Sequence, residues 1–513
     1  AFKYRAAITW PASPTLALWG VTAVALGVIL LGKPRRRPAL AGLATIGILI
    51  GELAVGSIGL PAANAVPIGG VEVERHTDAF LASQNSSDRV MALGDNTYDP
   101  GDLTALRASV QGSLSPSAES AFVTAIKHAE GLTPNLFERF GLASIDGYDG
   151  GILPLARYDD FKKLFPVQGS DPSDGRLRLQ LVGAPNSRLL GWLNVRYLLM
   201  DRLRDKWIDG VYYDLAVSAP VPPDSSVTLS TDPPFAFNRL GVMLSATPNG
   251  PPTGVLTVHA GRTDLKLNLE DPNVRRAGHL VQNDFDANGA WLWTLDAPAA
   301  DTLSQVTIRW TGQQAVDLRS LSAIDTRLPA DRTITTSGAY QIAFLEDMKV
   351  YVNHDVLPRA FLSRGVEVVP SVPAAIDAMR QPGWDPQATT LAVATDVPAG
   401  LAFRAAGDAG TTRMVEQTDQ RTVVNTRASG QRLMVLTDSY YPGWQATIDG
   451  RPTPIYEVNL MFRGVVVPAG AHQVVFTYQP ASWRVGLAGS ALGIILLLSG
   501  LWLTRRRPPV ADD

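Results

Sequence analysis

A first group of side chains with the chemistry to bind a sugar lies in the segment 134–160. Asn135, Asp146, Tyr148 and Asp149 together supply carboxylate, amide and phenol groups that hydrogen-bond to hydroxyls. The same stretch is dense in Gly, Pro, Asn and Asp, which also shape turns by bonding to their own backbone. The segment is therefore a candidate site for a hydroxyl-rich ligand, and a plain turn is the alternative.

A second candidate is the aromatic run from Tyr440 to Trp444. Tyr441 and Trp444 flank a Pro-Gly pair, and an aromatic face suits the apolar face of a pyranose ring. Pro and Gly also set the backbone at tight corners, so the run is equally typical of a packed corner of a β-sandwich. Both interpretations stay open on sequence alone.

Two arginines are candidates for phosphate binding. Arg196 and Arg359 each stand among apolar residues, where a guanidinium group suits bidentate contact with phosphate. The alternative is that each pairs with a buried carboxylate and serves stability.

Composition excludes several classes of site. The chain has no cysteine, so thiol chemistry and disulfides are excluded. Its six histidines are widely scattered without ligand spacing, so we predict no metal site. A net charge of −3 with no basic stripe argues against a nucleic-acid partner.

Three apolar segments predict membrane spans. Thr15–Gly32, Ala39–Leu60 and Val485–Thr504 are each about long enough to cross a hydrocarbon layer of ~30 Å. Basic clusters at 33–38 and 505–507 follow the first and the third, and the positive-inside rule assigns both to the cytoplasm. Everything between residues 61 and 484 is then predicted to be extracytoplasmic, with the C-terminus cytoplasmic.

Glu52 places a carboxylate inside the second predicted span. Such a group is costly in lipid unless it pairs or faces a wet cavity, so it is a candidate functional residue. A neutral Glu bonded to a neighbouring helix is the alternative.

The predicted fold class is membrane α plus extracytoplasmic α+β, with three transmembrane helices and two β-sandwich-like units. Short alternating strands separated by turns predict the first sandwich, and Asp449-Gly450 predicts a hairpin in the second. The predicted divisions are two transmembrane helices at 1–60, a mixed α/β domain at 61–226, a jelly-roll-like β-sandwich at 227–321, a mixed α/β continuation at 322–410, a β-sandwich unit at 411–482, and a transmembrane helix with a basic tail at 483–513.

Several stretches resemble, in order, the YfhO-like bacterial membrane proteins, which are placed in the GT-C superfamily of glycosyltransferases. The most specific is the C-terminal one, LTDSYYPGWQATIDGRP from Leu436 followed by NLMFRGVVVPAG from Asn459 and then the last span. The others are Pro134–Asp149, Trp192–Leu199 (WLNVRYLL) and Leu357–Phe361 (LPRAF).

The resemblance implies a bacterial cell-membrane protein that works with membrane lipid, a polyprenyl-phosphate-linked sugar and an envelope glycan acceptor. In such enzymes the catalytic acidic residue sits on the first outer loop. The chain begins at Ala1 without Met, and we interpret it as part of a longer protein. The catalytic residue and further N-terminal transmembrane helices are then expected upstream. No cofactor is expected in this part, although a divalent cation is possible in the whole protein, and this part alone is expected to be inactive.

Three functions remain open at this stage. The first is a GT-C-type glycosyltransferase, represented by its outer domain and last helices. The second is a non-catalytic, membrane-anchored module that binds glycan or an envelope partner. The third is a structural or export factor.

Overall fold

The computed structural model describes residues 45–51, 53, 74–84, 86–94, 98–145, 155–169, 176–181, 183–245, 250–283, 286–398 and 400–505. The first predicted span, the basic loop 33–38 and Glu52 lie outside these residues.

The chain forms two compact units, one of residues 1–73 and 101–126 and the other of residues 74–100 and 127–513. In the first unit, residues 45–51 are helical and lie within the second predicted span. The helices of the described residues are α1 (His76–Ser83), α2 (Leu103–Val110), α3 (Pro116–Glu130), α4 (Ala156–Lys162), α5 (Leu177–Gln180), α6 (Ser187–Trp192), α7 (Pro272–Arg276), α8 (Val372–Arg380) and α9 (Ala481–Arg505), with a 3-10 turn at Phe137–Phe140.

The second unit is built mainly of β-strands. They are β1 (Arg89–Ala92), β2 (Val195–Met200), β3 (Lys206–Ile208), β4 (Val211–Tyr213), β5 (Ala219–Val221), β6 (Ser225–Ser245), β7 (Gly254–Ala260), β8 (Thr263–Asn268), β9 (His279–Asn283), β10 (Asp286–Gly312), β11 (Val316–Asp325), β12 (Ala330–Ile334), β13 (Tyr340–Leu345), β14 (Lys349–Asn353), β15 (Ala360–Ser363), β16 (Gly365–Val369), β17 (Thr390–Val393), β18 (Phe403–Arg404), β19 (Thr411–Gln417), β20 (Arg421–Ala428), β21 (Arg432–Ser439), β22 (Trp444–Ile448), β23 (Arg451–Thr453), β24 (Tyr456–Val458), β25 (Phe462–Val467) and β26 (Gly470–Tyr478).

The first sheet has the order β1-β2-β14-β13, with β1 parallel to β2. Strands β1, β2 and β14 are buried on both faces because alternate side chains enter different cores, whereas the edge strand β13 is partly exposed. Met91 and Leu198 join a core that includes α4, α6 and α8, whereas Val90 and Leu199 join a core that includes α1. The start of β1 is therefore held rigidly inside the unit.

The longest strands, β6 and β10, pair antiparallel along most of their length and are flanked by β11 on one side and β7 on the other. Fully buried side chains from all four strands, among them Phe237, Leu256, Ile308 and Leu321, share one hydrophobic core. A sheet folded around a common core in this way is typical of a β-sandwich.

The C-terminal β-strands form two sheets, β15-β21-β25-β24 and β19-β20-β26-β22-β23. They enclose a core that contains Met434 and Val465 from the first sheet and Val474 and Phe476 from the second. The turn between β22 and β23 places Asp449 at φ 50° and Gly450 at φ 80°, the positive values that a type I′ hairpin needs. The predicted hairpin is confirmed.

Helix α9 follows β26 after only two residues. Among the described residues, it alone is long and apolar enough to cross a membrane. Its apolar side chains are exposed, Val485 by 72% and Leu498 by 60%, which suits lipid and not a protein core. The predicted third span is thus matched by a helix, and the first lies outside the described residues.

Candidate functional site

Three of the stretches that resemble the YfhO proteins meet at Arg89, the first residue of β1. Its Nη1 atom donates hydrogen bonds to the carbonyl oxygens of Leu193 (2.9 Å) and Thr437 (2.8 Å). The backbone N–H of Thr437 donates in turn to the carbonyl oxygen of Arg359 (2.9 Å). The guanidinium group of Arg89 therefore joins the segment at Leu193 to a segment that lies 348 residues from Arg89 in the sequence.

The fourth stretch lies beside the same strand. Val90 donates its backbone N–H to the carbonyl oxygen of Ala143 (2.8 Å) and forms a parallel bridge with Ser144. The backbone of residues 143–144 thus extends the edge of the sheet next to Arg89.

Asn194 fixes the spacing of these segments. Its side-chain amide donates to Asp88 Oδ1 and to the carbonyl oxygen of Leu357, both at 2.8 Å. Its φ of 60° lies in the left-handed region, which asparagine tolerates better than most residues. A short amide side chain at this bend can therefore join the chain before β1 to the chain before Arg359.

The centre of the site is a group that we call the arginine cluster: Arg89, Arg359, Asp438 and Arg463. Asp438 Oδ1 accepts hydrogen bonds from Arg89 Nη2 (2.5 Å) and Arg359 Nε (3.0 Å). Arg463 Nε donates to the carbonyl oxygen of Ser439 (3.0 Å), and Arg359 also faces the side-chain amide of Gln417. Three guanidinium groups thus surround one carboxylate.

This arrangement leaves a surplus of positive charge in a buried place. Burial lowers the pKa of Arg89 and of Arg463 to about 10, against the opposing effect of Asp438, so both stay charged at neutral pH. Burial acts to raise the pKa of Asp438, but the three arginines outweigh it and hold that pKa below its ordinary value. The cluster can therefore accept a further anion without losing its own carboxylate.

Arg463 has an unused donor. Its Nη1 atom is buried and has no hydrogen-bond partner among the residues that the structure describes. The guanidinium carbon lies 3.8 Å from the centroid of the Trp444 ring, a cation–π contact at close range. A buried guanidinium that lacks a partner on one nitrogen is costly unless an anion or water completes it.

The aromatic run connects the arginine cluster to the base of α9. The Trp444 ring lies 5.3 Å from the Tyr478 ring, and the carbonyl oxygen of Gly443 accepts a hydrogen bond from Gln479 (2.7 Å). Gly443 has a φ of 108°, and a Cβ there would meet Pro480 Cα and Tyr478 Cε2 at 3.0 Å. The Pro-Gly pair therefore permits the close approach of this loop to the segment that enters the apolar helix.

The remaining sequence candidates lie in different settings. Arg196 pairs with Asp88, just before Arg89 in the chain. Tyr441 is 47% exposed, with its ring 6.4 Å from that of Tyr478. Asn135 is exposed in a turn with a φ of 72°. Asp146, Tyr148 and Asp149 lie outside the described residues, as does Glu52.

Sequence reasoning did not single out Arg89, Asp438 or Arg463. Asp438 and Arg463 lie inside the two C-terminal stretches that carry the resemblance, and this position could have marked them as candidate site residues. Arg89 follows a short polar loop and has no local signal, because its partner Asp438 is 349 residues away. In the described part of the chain, no group of His, Cys, Asp and Glu side chains is arranged to hold a metal ion.

Residues 406–490 match the family described as "Bacterial membrane protein YfhO". The chain carries a YfhO-type C-terminal segment. The predicted resemblance is confirmed over this range, which contains Asp438, Trp444 and Arg463 together with the start of α9. No curated protein sequence matches the chain significantly.

Among solved structures, the chain is similar to the arabinofuranosyltransferase AftD from mycobacteria, with 14% identity over 57% of this chain and 24% of that one and a TM-score of 0.16. A variant of the same enzyme matches with 11% identity over 61% of this chain and 43% of that one, with a TM-score of 0.18. The chain thus spans less than half the length of these proteins. At such TM-scores the chains do not superpose as a whole, so the activity named for AftD is not carried over.

Proposed function

We propose that this YfhO-type chain is the outer and membrane-anchoring part of a GT-C-type glycosyltransferase. The enzyme would take its sugar from a polyprenyl-phosphate carrier and pass it to an acceptor of the cell envelope. The observation that carries the proposal is the surplus of buried positive charge in the arginine cluster, held next to the segment that leads into α9.

The chemistry of a lipid-linked donor explains why such a cluster would be needed. Its phosphate lies at the membrane surface and gains negative charge when the sugar leaves, so preorganised cations stabilise the transition state. Guanidinium groups suit this role because they bind phosphate oxygens in a bidentate way.

Arg359 is the member of the cluster that would meet the phosphate first. Its side chain is 17% exposed, compared with 10% for Arg89 and 12% for Asp438. Arg463, stacked on Trp444, supports the cluster from the buried side through its charge and its unused donor.

The proposed topology places residues 61–484 outside the cytoplasm and the C-terminus inside it. The acidic residue that would deprotonate the acceptor is expected elsewhere in the whole protein, on the first outer loop. The chain described here contributes the phosphate side of the site, with Asp146 and Asp149 proposed for the acceptor side.

The proposal is tested by sugar transfer with the whole protein in membranes, with labelled polyprenyl-phosphate sugar as donor. Arg359→Gln is expected to reduce transfer at least about tenfold, the loss that accompanies about 1.4 kcal/mol of transition-state stabilisation. Arg421→Gln is the matched control, because Arg421 lies on the same β unit and pairs with Glu416 at the surface. Equal transfer by the native protein and Arg359→Gln would refute the role of the cluster.

A further inference from the structure

We propose that a separate pocket beside Trp207 binds a neutral saccharide. The pocket has a volume of about 380 Å³ and lies where the β3–β4 hairpin meets β6, β12 and β13. Its lining includes Trp207, Asp232, Asp331, Arg332 and Gln341. This volume falls at the lower end of the range for small-ligand sites, which suits one or two sugar rings.

Trp207 is unusually exposed for its size. Its side chain is 62% accessible on a short hairpin strand, with a turn at Asp209-Gly210 next to it. A large apolar ring left in water loses the free energy that burial would supply. An exposed ring that lines a cavity is the arrangement in which a ligand can recover that free energy.

The ring is also held in place from behind. The Tyr212 ring lies 5.3 Å from the Trp207 ring. The guanidinium carbon of Arg202 lies 4.8 Å from the centroid of the Tyr212 ring and 5.8 Å from that of the Trp207 ring. The Trp207 ring therefore has an aromatic and a guanidinium neighbour before any ligand arrives.

Tyr212 is itself fixed by hydrogen bonds. Its hydroxyl donates to Asp205 Oδ2 (2.5 Å), and its backbone N–H donates to Asp331 Oδ2 (3.0 Å). Asp205 binds the fully buried Lys349. This chain of contacts preorganises the platform, and a preorganised site loses less conformational entropy on binding.

The polar rim selects the class of ligand. Asp232, Asp331, Arg332 and Gln341 offer both donors and acceptors around the ring, as a polyhydroxyl ligand requires. The lining holds two carboxylates and one guanidinium, and the guanidinium donates to the carbonyl oxygen of Pro233. An anionic ligand is therefore disfavoured, and the slightly positive C–H face of a neutral sugar suits the negative face of the indole.

The pocket is independent of the arginine cluster, so its failure and that of the proposed function are separable. The experiment uses the intact protein in nanodiscs and an array of neutral mono- and disaccharides of pentoses and hexoses. Isothermal titration with the best-bound member then gives the affinity. We expect Trp207→Ala to weaken binding at least about tenfold, Trp207→Phe to retain part of it, and Arg359→Gln to leave it unchanged.

Tyr441→Ala tests the competing site, because Tyr441 is an exposed aromatic residue on the other β unit and is itself a candidate for stacking on a sugar. Val415→Ala, at an exposed apolar residue of that unit, is the matched control and should leave binding unchanged. Melting curves check that each variant is folded. The proposal is overturned if the native protein binds no member of the array, if Trp207→Ala binds as well as the native protein, or if Tyr441→Ala removes binding instead.

Discussion

Arg463 and Trp444 form the contact that joins the arginine cluster to the membrane end of the domain. The guanidinium carbon lies 3.8 Å from the ring centroid, and the same ring lies 5.3 Å from Tyr478, near the end of β26. A charge that belongs to the cluster is thus held by an aromatic residue that belongs to the entry of α9. A substitution of Trp444 should therefore affect the arginine cluster, and a substitution of Arg463 should affect the packing next to α9.

Replacing Trp444 with alanine should destabilise the C-terminal β unit. The substitution removes the support of a buried guanidinium, and a desolvated cation–π contact is worth about 2 kcal/mol. Trp444→Phe keeps an aromatic face and should cost less. Urea unfolding of both variants measures the difference, and equal stability of Trp444→Ala and the native protein would contradict the structural role.

Asp438→Asn should be among the most damaging single substitutions in this unit. It leaves Arg89, Arg359 and Arg463 without their carboxylate, and breaking a buried ion pair from one side costs about 3–5 kcal/mol. Glu416→Gln, which removes an exposed partner of Arg421, should cost less than about 1 kcal/mol. Denaturant midpoints of the two variants give the comparison, and a similar loss in both would show that the cluster is not especially dependent on Asp438.

Gly443 and Gly450 provide a matched pair for the loop next to α9. Both have positive φ, 108° and 80°, but only at Gly443 would a Cβ meet neighbouring atoms, at 3.0 Å from Pro480 and Tyr478. Gly450→Ala should therefore cost only the backbone strain of about 1 kcal/mol, and Gly443→Ala should cost clearly more. Thermal melting orders the two variants, and the reverse order would argue against the close approach.

Glu457 should make stability fall as the pH rises. Burial is the main cause that raises its pKa to about 7; Arg157 opposes this rise, and the charges of Asp396 and Asp160 add to it. Because the native state holds the proton more tightly than the unfolded chain, the free energy of unfolding decreases as the pH rises from about 4.5 to about 7. Urea unfolding at pH 5 and pH 8 tests this, with Glu457→Gln expected to flatten the decrease. A decrease of the same size in Glu457→Gln would assign it to other groups.

The parts of the fold that sequence could predict are those fixed by local chemistry. The Asp449-Gly450 turn needs positive φ at two successive residues, and few other pairs supply it, so its hairpin was predictable. The helix over 116–130 and the apolar helix from Ala481 likewise follow from periodicity and length. The resemblance to YfhO depended on contiguous stretches, which a sequence shows directly.

The candidate site was harder to predict because it depends on contacts between distant segments. Arg359 was singled out, but its role depends on Asp438, which is 79 residues further along the chain. Asp438 in turn binds Arg89, from which it is separated by 349 residues. The pocket at Trp207 was missed for the same reason, since a lone tryptophan in a short polar segment carries no signal until the surrounding strands are known.

The central claim is that the arginine cluster binds the phosphate of a polyprenyl carrier, and direct binding tests it most simply. The measurement compares polyprenyl phosphate with polyprenol, its uncharged counterpart, for binding to the protein in nanodiscs by native mass spectrometry. We predict binding that requires the phosphate, that falls at least about tenfold in Arg359→Gln, and that is unchanged in Arg421→Gln. Equal binding of phosphate and alcohol, or binding that Arg359→Gln leaves intact, would contradict it.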